Sequence, residues 1–268
     1  LGTRDDATAA DDRPEIEPVS NSIVFFPADI DHEVMPVRTT GSGPGTLRCT
    51  FNGWFRIGKG TGPVPPMISR RAANVVQQAV VPRVSKRGFT VRPTPASVQE
   101  RLAAHCADHR ALAVPEGGVS DYFPDGAPDL IDIGPLGWEI LHELQALHEE
   151  WAGVPLEPVS AYGVRSYRPG QRVALHVDRG ESHIVTSEIV IEQALERPWP
   201  FHLRLDERGH DIHLDGGLML TYEGASCPNG RLEPLQGSGS SSLLLHYRPV
   251  GWTLSSDDVA REGLRRGL

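Results

Sequence analysis

Tyr162-Gly-Val-Arg-Ser-Tyr167-Arg-Pro-Gly-Gln-Arg-Val173-Ala-Leu175-His176-Val177-Asp178 is the stretch on which the reading of the chain turns. Val173, Leu175 and Val177 alternate with Arg172, Ala174, His176 and Asp178, the period of two expected of a half-buried strand. Alternation puts His176 and Asp178 on one face, one pleat apart. An imidazole and a carboxylate side by side on a rigid strand supply two of the three ligands of the 2-His-1-carboxylate site that holds non-heme Fe(II). The same pair on a solvated strand end would carry no chemistry, so the surrounding chain has to decide.

Working outward on the C-terminal side, short strands punctuated by turns are expected at about 161–167, 172–178, 184–192, 199–205, 211–214, 217–222, 228–233 and 242–248. Trp199, Phe201, Leu203 and Leu205 alternate, and Asp206-Glu-Arg-Gly209 is a turn signal. Eight short strands after helices predict a mainly β fold with flanking helices, a jelly roll or double-stranded β-helix. The tail, 255–268, reads as a short amphipathic helix or an unstructured end.

On the N-terminal side, Ser97-x-x-Glu100 reads as a capping box opening a helix with Val98, Leu102 and Cys106 on one stripe. His105 and His109 on that helix have a chelating i, i+4 spacing, although a solvated polar face gives the same pattern. A second helix is predicted from about 137 to 151, with Ile140, Leu144, Leu147 and Trp151 inward and His142 and His148 at its surface or boundary. Residues 63–95 read as a Gly/Pro-rich linker with a short helix over 69–81, which puts a domain boundary there. Residues 1–20 are acidic and aperiodic. Ser22–Pro27 and Thr46–Phe55 read as strands around Asp29-Ile-Asp-His32 and a Gly-rich loop at 41–45.

The composition bounds the function. The chain has 268 residues, 39% hydrophobic and 23% charged, with a net charge of −9, which argues against a nucleic-acid or anionic-membrane partner. No apolar run approaches the ~18 residues of a membrane span. Cys49, Cys106 and Cys227 form no paired motif, so an intracellular reducing compartment is expected. The first residue is Leu, which suggests a processed form or a piece of a longer chain.

From Tyr162 to Trp252, about a third of the chain, the sequence resembles the prolyl 4-hydroxylase-like Fe(II)/2-oxoglutarate dioxygenases. The matching pieces are Tyr162-Gly-Val-Arg-x-Tyr167, Leu175-His176-Val-Asp178-Arg179, Trp199-Pro200-Phe201, Tyr222-Glu223-Gly224, Gly230-Arg231 and His246-Tyr247-Arg248-Pro249-x-Gly-Trp252, in order. The resemblance implies Fe(II) held by His176 and Asp178, with 2-oxoglutarate and O2 as co-substrates and L-ascorbate as an accessory reductant. It further implies a protein or peptide substrate, prolyl side chains first. Tyr167 would donate a hydrogen bond to 2-oxoglutarate.

Two departures stand out. The family's second metal histidine, before Gly-Arg, is Asn229 here, and a neutral amide is a far poorer Fe(II) ligand than imidazole. The family lysine that pairs with the distal carboxylate of 2-oxoglutarate falls at Gly239, leaving Arg231, His246 or Arg248 for that task. His183, His210 or His213 replacing the missing ligand is an alternative, as is a metal-binding cupin outside the oxygenases. The segment around His32 and Arg48 resembles the back half of a similar domain, with His32 as ligand and Arg48 as anchor. The expected organisation is therefore an incomplete oxygenase-like domain at 1–62, the linker at 63–95, an oxygenase domain at 96–254, and the tail. Two functions follow: an active dioxygenase, or a catalytically degenerate oxygenase fold used for binding. The candidate substrate loops, about 113–135 and 223–241, carry no readable motif, and oligomeric state is not legible.

Overall fold

A computed structural model describes residues 70–117, 122–206 and 208–267. The readings of 1–62, His32 and Arg48 included, lie outside the described residues. The elements are α1 (Arg70–Val80), β1 (Phe89–Pro93), α2 (Ala96–His109), β2 (Val114–Pro115), β3 (Asp129–Ile131), α3 (Gly134–Ala152), β4 (Leu156–Tyr167), β5 (Val173–His176), β6 (Val185–Leu195), β7 (Phe201–Leu205), β8 (Arg208–Ile212), β9 (Leu218–Tyr222), β10 (Asn229–Arg231), β11 (Gly237–Pro249) and α4 (Ser256–Arg266). They build a seven-stranded sheet in the order β1-β9-β6-β11-β4-β3-β2 and a four-stranded sheet in the order β5-β10-β7-β8. Every pairing is antiparallel. This is the mainly β, double-stranded β-helix architecture expected from the sequence.

Alternation along the two central strands divides the molecule. On β11, Leu243, Leu245 and Tyr247 point into the main core, while Leu244 and His246 line a cavity on the opposite face. On β6, Val185, Ile189 and Ile191 join that core. Glu188 lines the cavity and Thr186 bonds to Asp178 beside it. Val98, Leu102 and Cys106 of α2 and Ile140, Leu141 and Leu144 of α3 cover the outer face of the sheet. Tyr247 ties the layers together by donating its hydroxyl to the Leu141 carbonyl at 2.8 Å. The Cys106 and Cys227 thiols are both pushed up to about 11 by burial, which makes them unreactive packing residues.

The structure departs from expectation at five places. Residues 70–93 are not linker: β1 is the edge strand beside β9, pairing Phe89 with Tyr222, and α1 packs against α4 through Val76, Val81 and Val259. The alternation that would have announced β1 is short and interrupted by Arg92 and Pro93. The α2 cap is Pro95, with no side-chain cap; Ser97 lies inside the first turn and donates to Glu143 at 3.3 Å. The Gly-Ser run at 237–242 is the first half of β11, because small hydroxyls fit between two flanking strands. The loop at 113–135 contributes β2 and β3. No helix among the described residues is long and apolar enough to cross a membrane.

His148 is the fifth departure. It lies on the inward stripe of α3, 1% exposed. Its Nδ1–H donates to the Leu144 carbonyl at 2.7 Å, and its Nε2 accepts from the Ser187 hydroxyl at 2.6 Å, which is linked in turn to Thr221 at 2.7 Å. Burial, outweighing the Leu144 bond, lowers its pKa to about 4 from 6.5. The unfolded chain therefore takes up this proton first, and stability falls as pH drops from about 6.5 toward about 4. The loss from this group is on the order of 3 kcal/mol once the window is crossed. Urea unfolding between pH 7 and pH 4 should show this slope in the natural chain and a flatter profile in His148→Gln.

Candidate metal and co-substrate site

The cavity between the sheets has a volume of about 420 Å³ and contains His176, Asp178, Asn229, Tyr167, Arg231 and His246 in its wall. β10 is held between β5 and β7, with Asn229 opposite His176 on one side and Leu203 on the other. Gly230 permits this approach, because a Cβ there would lie 2.7 Å from the Val173 carbonyl and 3.0 Å from that of Ala174. The ladder thus brings position 229 beside the His176/Asp178 pair, 53 residues of sequence away from His176.

His176 Nδ1 faces the Ala174 carbonyl at 2.8 Å, and a carbonyl only accepts, so Nδ1 carries the proton and Nε2 presents its lone pair. Nε2 lies 3.5 Å from Asp178 Oδ1, too long for a strong hydrogen bond. Two electron-rich atoms facing each other at this distance fit a shared cation. Asp178 is 11% exposed. Burial alone would raise its pKa, but in acid the protonated rings of His176 and His246, with the Thr186 hydroxyl, outweigh that and hold it well below the usual carboxylate range, so a cation beside the carboxylate is favoured over the neutral acid.

The Asp178 carboxylate is oriented from several sides. Oδ2 accepts from Thr186 Oγ1 at 2.6 Å, and the backbone N–H donates to the Gly224 carbonyl at 2.9 Å. The Asp178 carbonyl accepts from Gln77 Nε2, which also reaches the Ala225 carbonyl. Glu223 stabilises the same corner by accepting from the amides of Val84 and Ser85. Because the Thr186 proton goes to Asp178, its oxygen is free to accept from His246 Nδ1 at 3.2 Å. His246 stacks on His183 with ring centroids 3.8 Å apart, and burial lowers its pKa to about 3.

Asn229 is buried; its Nδ2 donates to the Cys227 carbonyl at 3.2 Å, which leaves Oδ1 as the amide's acceptor. Tyr122 covers the other side, its ring 4.4 Å from the His176 ring. Two arginines enter the cavity already paired. Arg231 meets Glu188 at 2.7 Å and the Trp199 carbonyl at 2.5 Å, over the Trp199 ring. Arg165 meets Glu116 bidentately, both contacts at 2.7 Å. Tyr167 is buried against Phe123 and Trp199, and burial pushes its pKa up to about 12.

Of the residues proposed from sequence, His176, Asp178, Asn229, Tyr167, Arg231 and His246 meet in one cavity. Arg248 does not: two residues beyond His246 near the end of β11, it lies past the cavity, half-exposed and paired with Glu157 at 2.5 Å. Position 239 cannot carry the family lysine. Gly239 has φ +156°, and a Cβ there would lie 2.9 Å from the Tyr167 carbonyl. Among the alternative ligands, His183 reaches the cavity, whereas His210 packs on Phe89 and His213 borders a separate depression. His105 and His109 stack on each other with a nitrogen of each ring held at a backbone carbonyl. Among the described residues no group of three or more His, Cys, Asp or Glu has metal-holding geometry. Thr186, Glu188, Arg165, Glu116, Tyr122 and Gln77 were missed; the signal for Thr186 and Glu188 was their polar alternation within an apolar strand.

No protein-family model matches the sequence, and no curated protein matches it. Solved structures do. A prolyl-4-hydroxylase of Pseudomonas putida is 20% identical, covering 65% of this chain and 98% of its own, with a TM-score of 0.50. AviO1 from Streptomyces viridochromogenes is 14% identical over 67% of this chain and 97% of its own, with a TM-score of 0.48. A 2OG-Fe(II) oxygenase family oxidoreductase of Burkholderia pseudomallei is 12% identical over 72% and 93%, also at 0.48. The chain thus shares the fold of that Pseudomonas putida prolyl-4-hydroxylase.

The corner at Gly224 gives a direct test of this geometry. A Cβ there would overlap both Asp178 Oδ2 and Thr186 Oγ1. Gly224→Ala should therefore destabilise the protein by roughly 1–3 kcal/mol in urea unfolding, with Gly117→Ala, an open site that like Gly224 has no positive φ, as the control for backbone effects.

Proposed function

We propose that the domain beginning at α1 is an Fe(II)- and 2-oxoglutarate-dependent oxygenase of the prolyl 4-hydroxylase-like type, acting on a protein or peptide side chain. The observation that carries this reading is the pair of lone-pair-bearing atoms, His176 Nε2 and Asp178 Oδ1, 3.5 Å apart beside Asn229 in the cavity. The donor set of one imidazole nitrogen, one ionised carboxylate and one amide oxygen suits a divalent first-row metal, more weakly than the two-histidine set. In this reading His176, Asp178 and Asn229 hold the metal, and Thr186 aims the carboxylate.

Iron with 2-oxoglutarate and O2 supplies the oxidant for an unactivated C–H bond. The chain's own residues prepare the place for it. Tyr167, Arg231 and His246 form the co-substrate side. The Arg231–Glu188 pair stiffens the wall at a point where a bare charge would be costly. Tyr222, Phe201 and Val173 add apolar surface that excludes water. The N-terminal 1–62, read from sequence as the closing part of a second such domain, belongs to the same proposal.

A second reading is favoured by two observations, the amide at position 229 and the sterically closed position 239: an oxygenase fold kept for binding after loss of turnover. Anaerobic titration with Fe(II) and 2-oxoglutarate separates the two. The active reading expects a visible metal-to-ligand charge-transfer band in the natural chain, tighter in Asn229→His and absent in His176→Ala. A band only in Asn229→His would establish the degenerate reading, and no band in either would sink the assignment. Thr186→Val should weaken Fe(II) binding roughly 10- to 100-fold while leaving far-UV circular dichroism unchanged.

A further inference from the structure

The charges around the cavity do not cancel evenly. Of its three lining arginines, Arg165 and Arg231 each spend their charge on a buried glutamate. Position 239 is closed to a lysine, and Arg248 faces the surface. Arg179, the residue after Asp178, remains. It lines the cavity, is exposed, and makes no ion pair or side-chain hydrogen bond among the described residues. Of the acidic residues beside it in sequence, Asp178 is engaged by Thr186, and Glu181, although near enough to feel the Arg179 charge, is engaged by the amide and hydroxyl of Ser256 and forms no ion pair with it.

Arg179 is also held in place from below. Its carbonyl accepts from the amides of Ser182 at 3.2 Å and His183 at 2.8 Å, closing a turn at the cavity rim. Gly180 anchors that turn through its carbonyl, which accepts from Trp252 Nε1 at 2.9 Å, and a side chain at this position would press on Gln77. The turn brings the Arg179 guanidinium, the Ser182 hydroxyl and the His183 ring to the same rim. The backbone is thus fixed while the guanidinium has no ion-pair partner within contact distance among the described residues. Such a group at the mouth of a cavity whose other arginines are neutralised is a ready receptor for a carboxylate, because a guanidinium binds one through two parallel hydrogen bonds.

We propose that Arg179 is the carboxylate-recognising residue of this cavity. The carboxylate belongs either to 2-oxoglutarate or to an acidic peptide substrate, and the first of these sources rests on the function proposed above. Two titrations distinguish them: Ni(II)-loaded protein with 2-oxoglutarate, and metal-free protein with the peptide Glu-Pro-Glu-Pro-Glu. Each is run on the natural chain, Arg179→Gln and Arg179→Lys. Arg179→Gln should weaken at least one ligand by roughly 10- to 100-fold, with partial recovery in Arg179→Lys and no change in thermal midpoint. Loss for 2-oxoglutarate identifies the co-substrate anchor, and loss for the peptide identifies an acidic substrate. If the natural chain ignores 2-oxoglutarate yet binds the peptide through Arg179, the oxygenase reading fails and this inference stands. Unchanged affinities in Arg179→Gln, or a natural chain that binds neither ligand, would overturn it.

Discussion

Keeping a carboxylate charged where water is scarce is the constraint on which the rest of this structure depends. Asp178 leaves the end of β5 and sits between the two sheets, where burial favours its neutral form. The fold counters with a hydroxyl from β6, an imidazole one pleat away, and a second imidazole linked through Thr186. These partners come from β5 of one sheet and from β6 and β11 of the other, so the pair is set only when the two sheets have closed on each other. The backbone at Asp178 is fixed as well, by Gly224 on one side and Gln77 of α1 on the other. The first helix, distant in the chain, is therefore part of the site's scaffolding.

The same economy of charge explains the two arginine–glutamate pairs. A buried ion pair adds little net stability, since desolvation consumes most of the attraction, but losing one partner is costly. Arg231 and Arg165 are thus locked to Glu188 and Glu116 and serve as rigid wall elements flanked by aromatic rings. What they give the cavity is a fixed shape and a polar lining of little net charge.

Much of this was legible in the sequence. The alternation around His176 placed the imidazole and carboxylate on one face, and the succession of short strands gave the jelly roll. The stripe on α3 was equally plain, although His148 falls on it and a polar residue there invites the wrong assignment to the surface. Other features depend on contacts that no local pattern carries. β1 is a five-residue edge strand defined by its partner β9. The Gly-Ser half of β11 reads as a loop because its small side chains matter only between two neighbouring strands. Arg231 was identifiable as a cavity residue, but its commitment to Glu188 required knowing that β6 and β10 face each other. Ser97 had the composition of a cap and lacked the position, since Pro95 had already taken it.

Gly230 shows how far architecture and chemistry are separable along β10. Its lack of a side chain is dictated by the carbonyls of β5, and Arg231 beside it is fixed by its own buried partner. Asn229 is different: although buried, its side chain makes one hydrogen bond among the described residues, to the Cys227 carbonyl, and its amide oxygen is left for the cavity. A three-residue strand therefore contains two positions answerable to the fold and one answerable to the cavity. Selection acting on folding alone would preserve Gly-Arg and leave the preceding residue free to drift.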